Sequence, residues 1–447
     1  MSEPIISVSG LRGIVGESLT PQVAVRYAAS FAATLPPGPI VLTYDGRESG
    51  PMFLEALGNG LSQLGREVIS VGVAATPTTG VLVKQTKAAG GIQISASHNP
   101  PQWNGLKLFS GEGRVIPAVA GEKVMAEYRG AGSNPSSRHV IGNVKRVADS
   151  WSRHVELVLA TVDVAQIGKR TFKALLSSNH GSGSVVGRRV LEKLGCQATL
   201  LGGEPDGRFA HPPEPTAENL ASVLPKVVEN KCDIGFCQDP DADRLAVIDE
   251  KGRYIGEEYT LAICVDHVLR QKPGPVVTNC STSRMTEDLA KKYGVPFYRS
   301  AVGEANVVDA MLKYGAVLGG EGNGGVIDPR VVLVRDSFTA MALILDAMAA
   351  RNLPVSALAD ELPRYEICKT KISLSKEKLN AGLAAIEKHF RDARADRLDG
   401  LRLDWTDKWL LVRGSNTEPV VRAIAEAPTM AEAERLCREA TTALEGT

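Results

Sequence analysis

The chain has 447 residues, too many for one hydrophobic core, and at roughly 150 residues per domain it predicts three or four. Lys and Arg (51) balance Asp and Glu (51), so no overall field draws it to nucleic acid or an acidic membrane surface, and only local charge clusters remain to hold a small charged ligand. No apolar run approaches the ~20 residues of a membrane span, and the start Ser2-Glu3-Pro4 has no basic region, so a secretory signal is not expected.

The seven cysteines include Cys232 and Cys237, with no second pair or nearby histidine at zinc spacing. They read as reduced thiols of a cytoplasmic protein. In chain order, Thr20-Pro21 opens a helix over 21–33, with Thr20 as its cap and Pro21 at the first helical position. Residues 39–44 read as a buried strand ending in Asp45-Gly46-Arg47, followed by a helix over 53–64 and a strand over 68–71. A strand over 91–94 leads into a serine-rich loop. The polar stretch with Gly130, Gly132, Ser133, Pro135, Ser136 and Ser137 predicts a linker before a helix over 151–159. A strand over 172–176 ending in Asn179-His180-Gly181-Ser182-Gly183 starts a second domain, and another strand–helix series begins after Gly256, with a strand over 275–278. The last block differs: beyond Lys371-Ile372-Ser373, a helix over 376–390 precedes a hairpin of 401–405 and 409–412, turned at Thr406-Asp407-Lys408, and a final helix over 430–444. The expected fold is α/β: three similar mixed α/β/α domains (1–150, 151–254 and 255–365) and a smaller C-terminal α+β domain (366–447) around a central cleft.

Four stretches carry chemistry. Ser95-Ala96-Ser97-His98-Asn99-Pro100 follows an apolar strand, and Pro100 and Pro101 keep the chain out of a helix. Ser97 can there carry a phosphoryl group, with Lys107 returning a cation a few residues on. Asp239-Pro240-Asp241-Ala242-Asp243-Arg244 puts three carboxylates at alternate positions with no lysine between them, so they repel one another and call for a cation. Alternate residues of a straight strand are roughly 6.6 Å apart, so a shared small ion requires a tight loop, and the all-oxygen set favours Mg²⁺ over zinc or copper. A calcium EF-hand is a rival because Glu250 stands twelfth, but Arg244 is sixth, where that loop needs glycine, and the flanks read as strands. A solvated acidic turn is the plainer alternative.

Gly319-Gly320-Glu321-Gly322-Asn323-Gly324-Gly325 lets backbone approach a ligand closely, with Glu321 and Asn323 able to pair with sugar hydroxyls. Arg413-Gly414-Ser415-Asn416-Thr417-Glu418-Pro419, then Arg422, offers a guanidinium, hydroxyls, an amide and backbone N–H groups to a phosphate. Singly, each is also what an ordinary capped or glycine-rich turn looks like. Together they are what moving phosphate between two hydroxyls of one sugar requires.

With these motifs in this order, the chain resembles the α-D-phosphohexomutases: phosphoglucomutases, phosphomannomutases and phosphoglucosamine mutases. The likeness runs from Ser9-Gly10-Leu11-Arg12-Gly13 to Arg422, through Asp45-Gly46-Arg47-Glu48-Ser49 and Pro205-Asp206-Gly207-Arg208-Phe209. Its Gly-Glu-Gly-Asn-Gly-Gly and Asn-Thr-Glu-Pro forms look most like the archaeal-type subgroup that includes phosphoglucosamine mutases. The resemblance implies a phosphoserine at Ser97, with Asp239, Asp241 and Asp243 binding Mg²⁺ together with an oxygen of that residue. It implies Arg12, His98, Lys107 and Arg244 as the charged and acid/base groups, and Glu321 and Asn323 as readers of the sugar. Arg413, Ser415, Asn416, Thr417 and Arg422 would clamp the phosphate that is not reacting.

The substrates implied are hexose 1- and 6-phosphates of glucosamine, mannose or glucose, exchanged through a hexose 1,6-bisphosphate. No nucleic acid or membrane partner is expected of this monomer or homodimer. Many relatives end the sugar loop in Ser-Gly-His where this chain has Asn323-Gly324-Gly325, so a histidine role cannot be carried over. The rivals are a metal-dependent phosphatase, which loses the phosphoryl to water, and a non-catalytic sugar-phosphate sensor, which needs the clamp but not the donor.

Overall fold

The structure is a computed structural model and describes residues 3–7, 10–130, 141–372, 376–414 and 420–445. The linker expected around 130–137, Ser373, and Ser415, Asn416 and Thr417 of the clamp therefore lie outside the described residues, apart from Gly130, which follows the helix Ala118–Arg129.

Four sheets form among the described residues, and three of them repeat one plan. In the first, Ile40–Tyr44, Val68–Val73, Gly90–Ile94 and Trp103–Ser110 lie in the spatial order fourth, third, first, second. The first three of these strands run parallel and the fourth returns antiparallel. The same order holds for Lys173–Ser177, Gln197–Leu201, Ile234–Gln238 and Leu245–Asp249, and again for Val276–Asn279, Phe297–Ser300, Leu318–Glu321 and Gly325–Ile327. Parallel neighbours need helical crossovers, and these are present: Gly50–Gln63 and Thr76–Gln85, then Gly183–Lys193 and Leu224–Glu229, then Met285–Lys292 and Glu304–Tyr314. The connection from third to fourth strand is instead a hairpin, so each repeat has one tight loop at the carboxyl end of a central strand. Those loops are 95–102, 239–244 and 322–324. Each falls on one of the chemistry-bearing motifs. Carboxyl ends of parallel strands are where open α/β sheets bind ligands.

The first helix starts at Pro21 as expected, with the Thr20 hydroxyl accepting from the Val23 amide. The second begins at Gly50, earlier than the pattern indicated. The fourth sheet is antiparallel, ordered Glu366–Ile372, Val421–Ala427, Trp409–Gly414, Leu401–Asp404 and Arg394–Asp396, and carries the helices Lys376–His389 and Met430–Glu445. The expected hairpin is its centre. The two strands beyond the hairpin's Trp409–Gly414 side are not apparent in the sequence, because Glu366–Ile372 is polar and three of the five apolar residues of Val421–Ala427 are alanine, a poor strand former.

One apolar cluster draws residues from all three repeats, among them Val81, Val190, Phe236, Leu261 and Leu343. Its centre is the helix Ser337–Arg351, buried from Ser337 through Ala349 and apolar around most of its circumference, with Ser337, Thr339 and Asp346 as its buried polar residues. Among the described residues, no helix is long and apolar enough to cross a membrane.

Candidate active site

The serine loop is held open from behind by one buried ion pair. Arg47, 1% exposed, donates through Nη2 to the carbonyls of Ser97 and Asn99 (both 2.7 Å), and through Nη1 to those of Pro100 (2.8 Å) and Trp103 (2.9 Å). Its Nε pairs with Asp45 Oδ2 at 3.1 Å, and the same carboxylate oxygen accepts from Ser95 Oγ at 2.7 Å. Ser95 Oγ in turn accepts from the Ser97 amide at 2.9 Å. One guanidinium thus donates to three carbonyls of the loop and to that of Trp103, the first residue of the next strand, and Ser97 is fixed in the left-handed region at φ +49°.

The second loop curls in the same way. Ala242 sits at φ +54°, and its amide donates to the Asp239 carbonyl at 2.9 Å. The loop therefore turns back on itself. Ligand atoms of Asp239, Asp241 and Asp243 all lie within 4.8 Å of one another, and all three residues are fully buried. Because antiparallel strands flank this loop and no helix does, the EF-hand alternative is excluded. The two loops meet: Ser97 Oγ donates to Asp239 Oδ2 at 3.0 Å, and the Thr76 amide donates to the Asp241 carbonyl at 2.9 Å.

Lys107 Nζ lies 2.8 Å from Asp241 Oδ2 and 2.9 Å from Asp243 Oδ2, and Thr76 Oγ1 donates to Asp241 Oδ2 at 2.6 Å. Arg335 Nη2 adds a bond to Asp243 Oδ2 at 2.6 Å. Burial opposes ionisation of all three carboxylates, but Lys107 and Thr76 hold Asp241 well below its ordinary value, and Arg335 with Lys107 holds Asp243 below. Asp239 is pushed well up by burial and by its two acidic neighbours. Two carboxylates are thus neutralised and the third is not. Asp241 Oδ1 and Asp243 Oδ1 are buried without a hydrogen-bond partner. A charge-deficient carboxylate and two bare oxygens around one point are what an oxygen-liking divalent cation would satisfy, so the residues fit a metal ion.

The remaining expected residues fall as follows. Arg12 Nη1 donates to Asn99 Oδ1 at 3.3 Å, and Arg244 Nε stands 3.9 Å from both Asp239 Oδ2 and Asp243 Oδ1. Burial lowers the Lys107 amine, yet Asp241 and Asp243 carry it above its ordinary value, so it stays a cation. Arg244, burial and Arg12 push the His98 imidazole down to about 2, leaving a neutral ring whose Nδ1 is buried without a partner. Glu321 accepts from Asn279 Nδ2 at 2.7 Å and from Arg335 Nη1 at 2.6 Å, while Asn323 Oδ1 is buried and unpaired. The sugar loop touches the aspartate hairpin through Leu245, whose amide donates to the Gly324 carbonyl at 3.1 Å.

Arg413 and Arg422 sit opposite each other in register on adjacent strands. Asp399 Oδ2 joins Arg413 Nε (3.0 Å) to the Val302 amide (2.9 Å), linking the fourth domain to the third. Four residues of the site were not singled out from the sequence: Thr76, Asn279, Arg335 and Glu304, whose Oε1 accepts from the Arg335 amide at 2.7 Å. The one signal available for Arg335 is a charged pair, Arg335-Asp336, closing the apolar run Val331–Val334 and opening an apolar helix.

Four family descriptions match successive parts of the chain: phosphoglucomutase/phosphomannomutase α/β/α domain I over residues 5–134, domain II over 152–252, domain III over 257–365, and the C-terminal domain over 371–443. A phosphoglucomutase/phosphomannomutase of Thermococcus kodakarensis is 36% identical over 427 residues, covering 94% of this chain and 93% of that one. A probable phosphoglucosamine mutase of the same organism is 32% identical, covering 97% and 98%. A crystal structure of a putative phosphomannomutase from Thermus thermophilus superposes with a TM-score of 0.85 over the full length of both chains at 23% identity, a likeness of fold. The chain belongs to the phosphoglucomutase/phosphomannomutase family.

Proposed function

We infer that this phosphohexomutase works through Ser97, carried as a phosphoserine that donates to the free C1 or C6 hydroxyl of a hexose phosphate. The bond from Ser97 Oγ to phosphorus breaks as the sugar oxygen bonds to it, giving a hexose 1,6-bisphosphate; the other phosphate of that intermediate then returns to Ser97. The observation that carries the reading is the buried contact of Ser97 Oγ with Asp239 Oδ2 at 3.0 Å, where the first two repeats meet. At 2% exposure Ser97 is shielded from bulk water, which favours transfer to a sugar over hydrolysis.

Asp239, Asp241 and Asp243 would hold Mg²⁺ with an oxygen of the phosphorylated Ser97. When bound, that ion supplies charge stabilisation to the oxygens of the transferring group. Arg12, Arg244 and Lys107 carry permanent positive charge around the same point. Of the four groups first assigned acid/base or electrostatic work, only His98 is neutral, and with its imidazole held down at about 2 it serves as a hydrogen-bonding partner of the transferring group rather than as a base. The proton of the attacking hydroxyl ends on the Ser97 Oγ that leaves. Glu321 and Asn323 read the sugar hydroxyls, and Arg413, Ser415, Asn416, Thr417 and Arg422 clamp the distal phosphate. We place the domain limits near residues 150, 254 and 365. The clamp on the fourth domain must accept a phosphate at either end of the sugar, so that the intermediate can turn over between transfers.

Ser97→Ala is expected to abolish turnover of hexose 1-phosphates while leaving sugar-phosphate binding within a few-fold. Wild-type turnover in that variant would overturn the assignment. Following one sugar 1-phosphate to isomerised product, as against free inorganic phosphate, separates mutase from phosphatase. Rates with the 1- and 6-phosphates of glucosamine, mannose and glucose, measured side by side, identify the preferred sugar.

A further inference from the structure

Gly325 leaves a space, and another side chain fills it. A Cβ at position 325 would lie 2.2 Å from Cδ of Arg335 and 2.8 Å from its Cγ. The aliphatic stem of Arg335 therefore rests directly on the Gly325 backbone, where any side chain at 325 would displace it. From that seat the guanidinium forks. Nη1 donates to Glu321 Oε2 and Nη2 to Asp243 Oδ2, each at 2.6 Å. Nε faces Glu304 Oε2 at 3.7 Å, and the Arg335 amide donates to Glu304 Oε1 at 2.7 Å. One planar group thus spans the sugar loop of the third repeat and the aspartate loop of the second, which a single ammonium cannot do.

We propose that Arg335 is a positioning residue that locks the sugar-reading carboxylate of Glu321 and the metal-loop carboxylate of Asp243 into one register, and that position 325 is glycine to make room for it. This rests on the reading of those two loops given above. On the Asp243 side, Oδ2 is gripped by Arg335 and by Lys107 Nζ at 2.9 Å, which fixes where the unpartnered Oδ1 stands. On the Glu321 side, Oε1 is held by Asn279 at 2.7 Å and by the Gly303 amide at 3.2 Å, so Arg335 completes the constraint on the second oxygen. Oε2 keeps a lone pair for a sugar hydroxyl. Arg335 touches neither sugar nor phosphoryl in this account. It sets the offset between the groups that do, and a displacement of about 1 Å at such a place costs on the order of 100-fold in rate.

The test uses the full chain and hexose 1-phosphate turnover. Arg335→Lys keeps the positive charge, so the carboxylates stay compensated, but it loses the two-armed reach. The expected result is a folded protein that still melts cooperatively, with KM within about threefold and kcat lower by on the order of 100-fold. Gly325→Ala should lower kcat similarly in the wild-type background and add little to Arg335→Lys, because both disturb the same contact. A folded Arg335→Lys enzyme with wild-type kcat overturns the proposal, as do losses that multiply in the double variant. If Arg335→Lys does not fold, Gly325→Ala decides, since an unchanged kcat there means that the stem's seat on glycine is irrelevant. Ser97→Ala run alongside separates the two levels. An inactive Ser97→Ala beside a fully active Arg335→Lys removes this inference alone, whereas an active Ser97→Ala removes the reading beneath it.

Discussion

At the scale of single residues, the site is built by a few buried charges that each satisfy several neighbours. Arg47 is the clearest case. Its guanidinium is the donor to three carbonyls of the serine loop and to that of Trp103 beyond it, and its partner Asp45 is drawn upward by burial and restrained chiefly by that same guanidinium. Holding Ser97 at φ +49° costs on the order of 1 kcal/mol, which the loop sustains only while its carbonyls are pinned. Arg47→Lys is therefore expected to lower stability by about 2–3 kcal/mol and kcat by at least tenfold, because an ammonium cannot reach four acceptors in a plane. Thermal melts and turnover check it; unchanged kcat would show that the loop holds its shape without the fork. Such residues are also where the sequence is least readable. Ser97, the aspartate trio and the glycine-rich loop stand out because their chemistry is packed into a few consecutive residues. Arg335 does not, since its carboxylate partners lie 14 and 92 positions away, and Arg47 reaches carbonyls 50 and more positions on. A lone arginine carries no local mark of such a partner.

At the scale of elements, the informative unit is the hairpin joining the third and fourth strands of each repeat. Its parallel side was legible as an apolar run in the first two repeats, and its loop as a motif in all three; in the third the strand Leu318–Glu321 is half glycine and read as part of the loop. That all three loops occupy one topological position was not legible, because it depends on strand order, which leaves no local trace. The terminal sheet was half legible: the hairpin around residues 405–408 announces itself through Leu-Arg-Leu and Trp-Leu-Leu-Val, whereas the alanine-rich strand gains its character by pairing with Trp409–Gly414 and the polar one by pairing with the alanine-rich strand. The hairpins also press on one another. Gly324 sits at φ +80°, and a Cβ there would come within 2.1 Å of the Leu245 carbonyl oxygen, which is rigid backbone. Gly324→Ala must then separate the sugar loop from the aspartate hairpin as well as pay the left-handed strain. A loss of about 2 kcal/mol or more is expected, with a larger rise in KM for hexose phosphate than in Gly16→Ala, where φ is also positive but nothing lies within 4 Å. Equal behaviour of the two variants would remove the contact from the account.

At the scale of the whole molecule, the three repeats share one interior, and a polar clasp runs through it. Thr78 from the first repeat pairs with His154 Nδ1 at 2.9 Å, and His154 Nε2 donates to Asp336 Oδ2 at 2.9 Å. All three are about 1% exposed. Asp336 also caps the central helix, accepting from the amides of Phe338 and Thr339 at 2.9 and 3.3 Å. Burial opposes its ionisation, but His154, Thr339 and the helix amides outweigh that and hold its carboxyl below the ordinary value. A depressed carboxyl contributes stability that is complete above its unfolded value, near pH 4, and drains away as pH falls through the folded one. Asp336→Asn lacks that titration and weakens the bonds that the carboxylate accepts from the ring N–H and the helix amides, an expected cost of about 1–3 kcal/mol at neutral pH. The difference in melting temperature between wild type and variant should accordingly stay constant above about pH 5 and narrow progressively below pH 4. A difference that holds steady down to pH 2 would mean that the carboxylate charge does no work in joining the repeats, and that the helix behind it joins them alone.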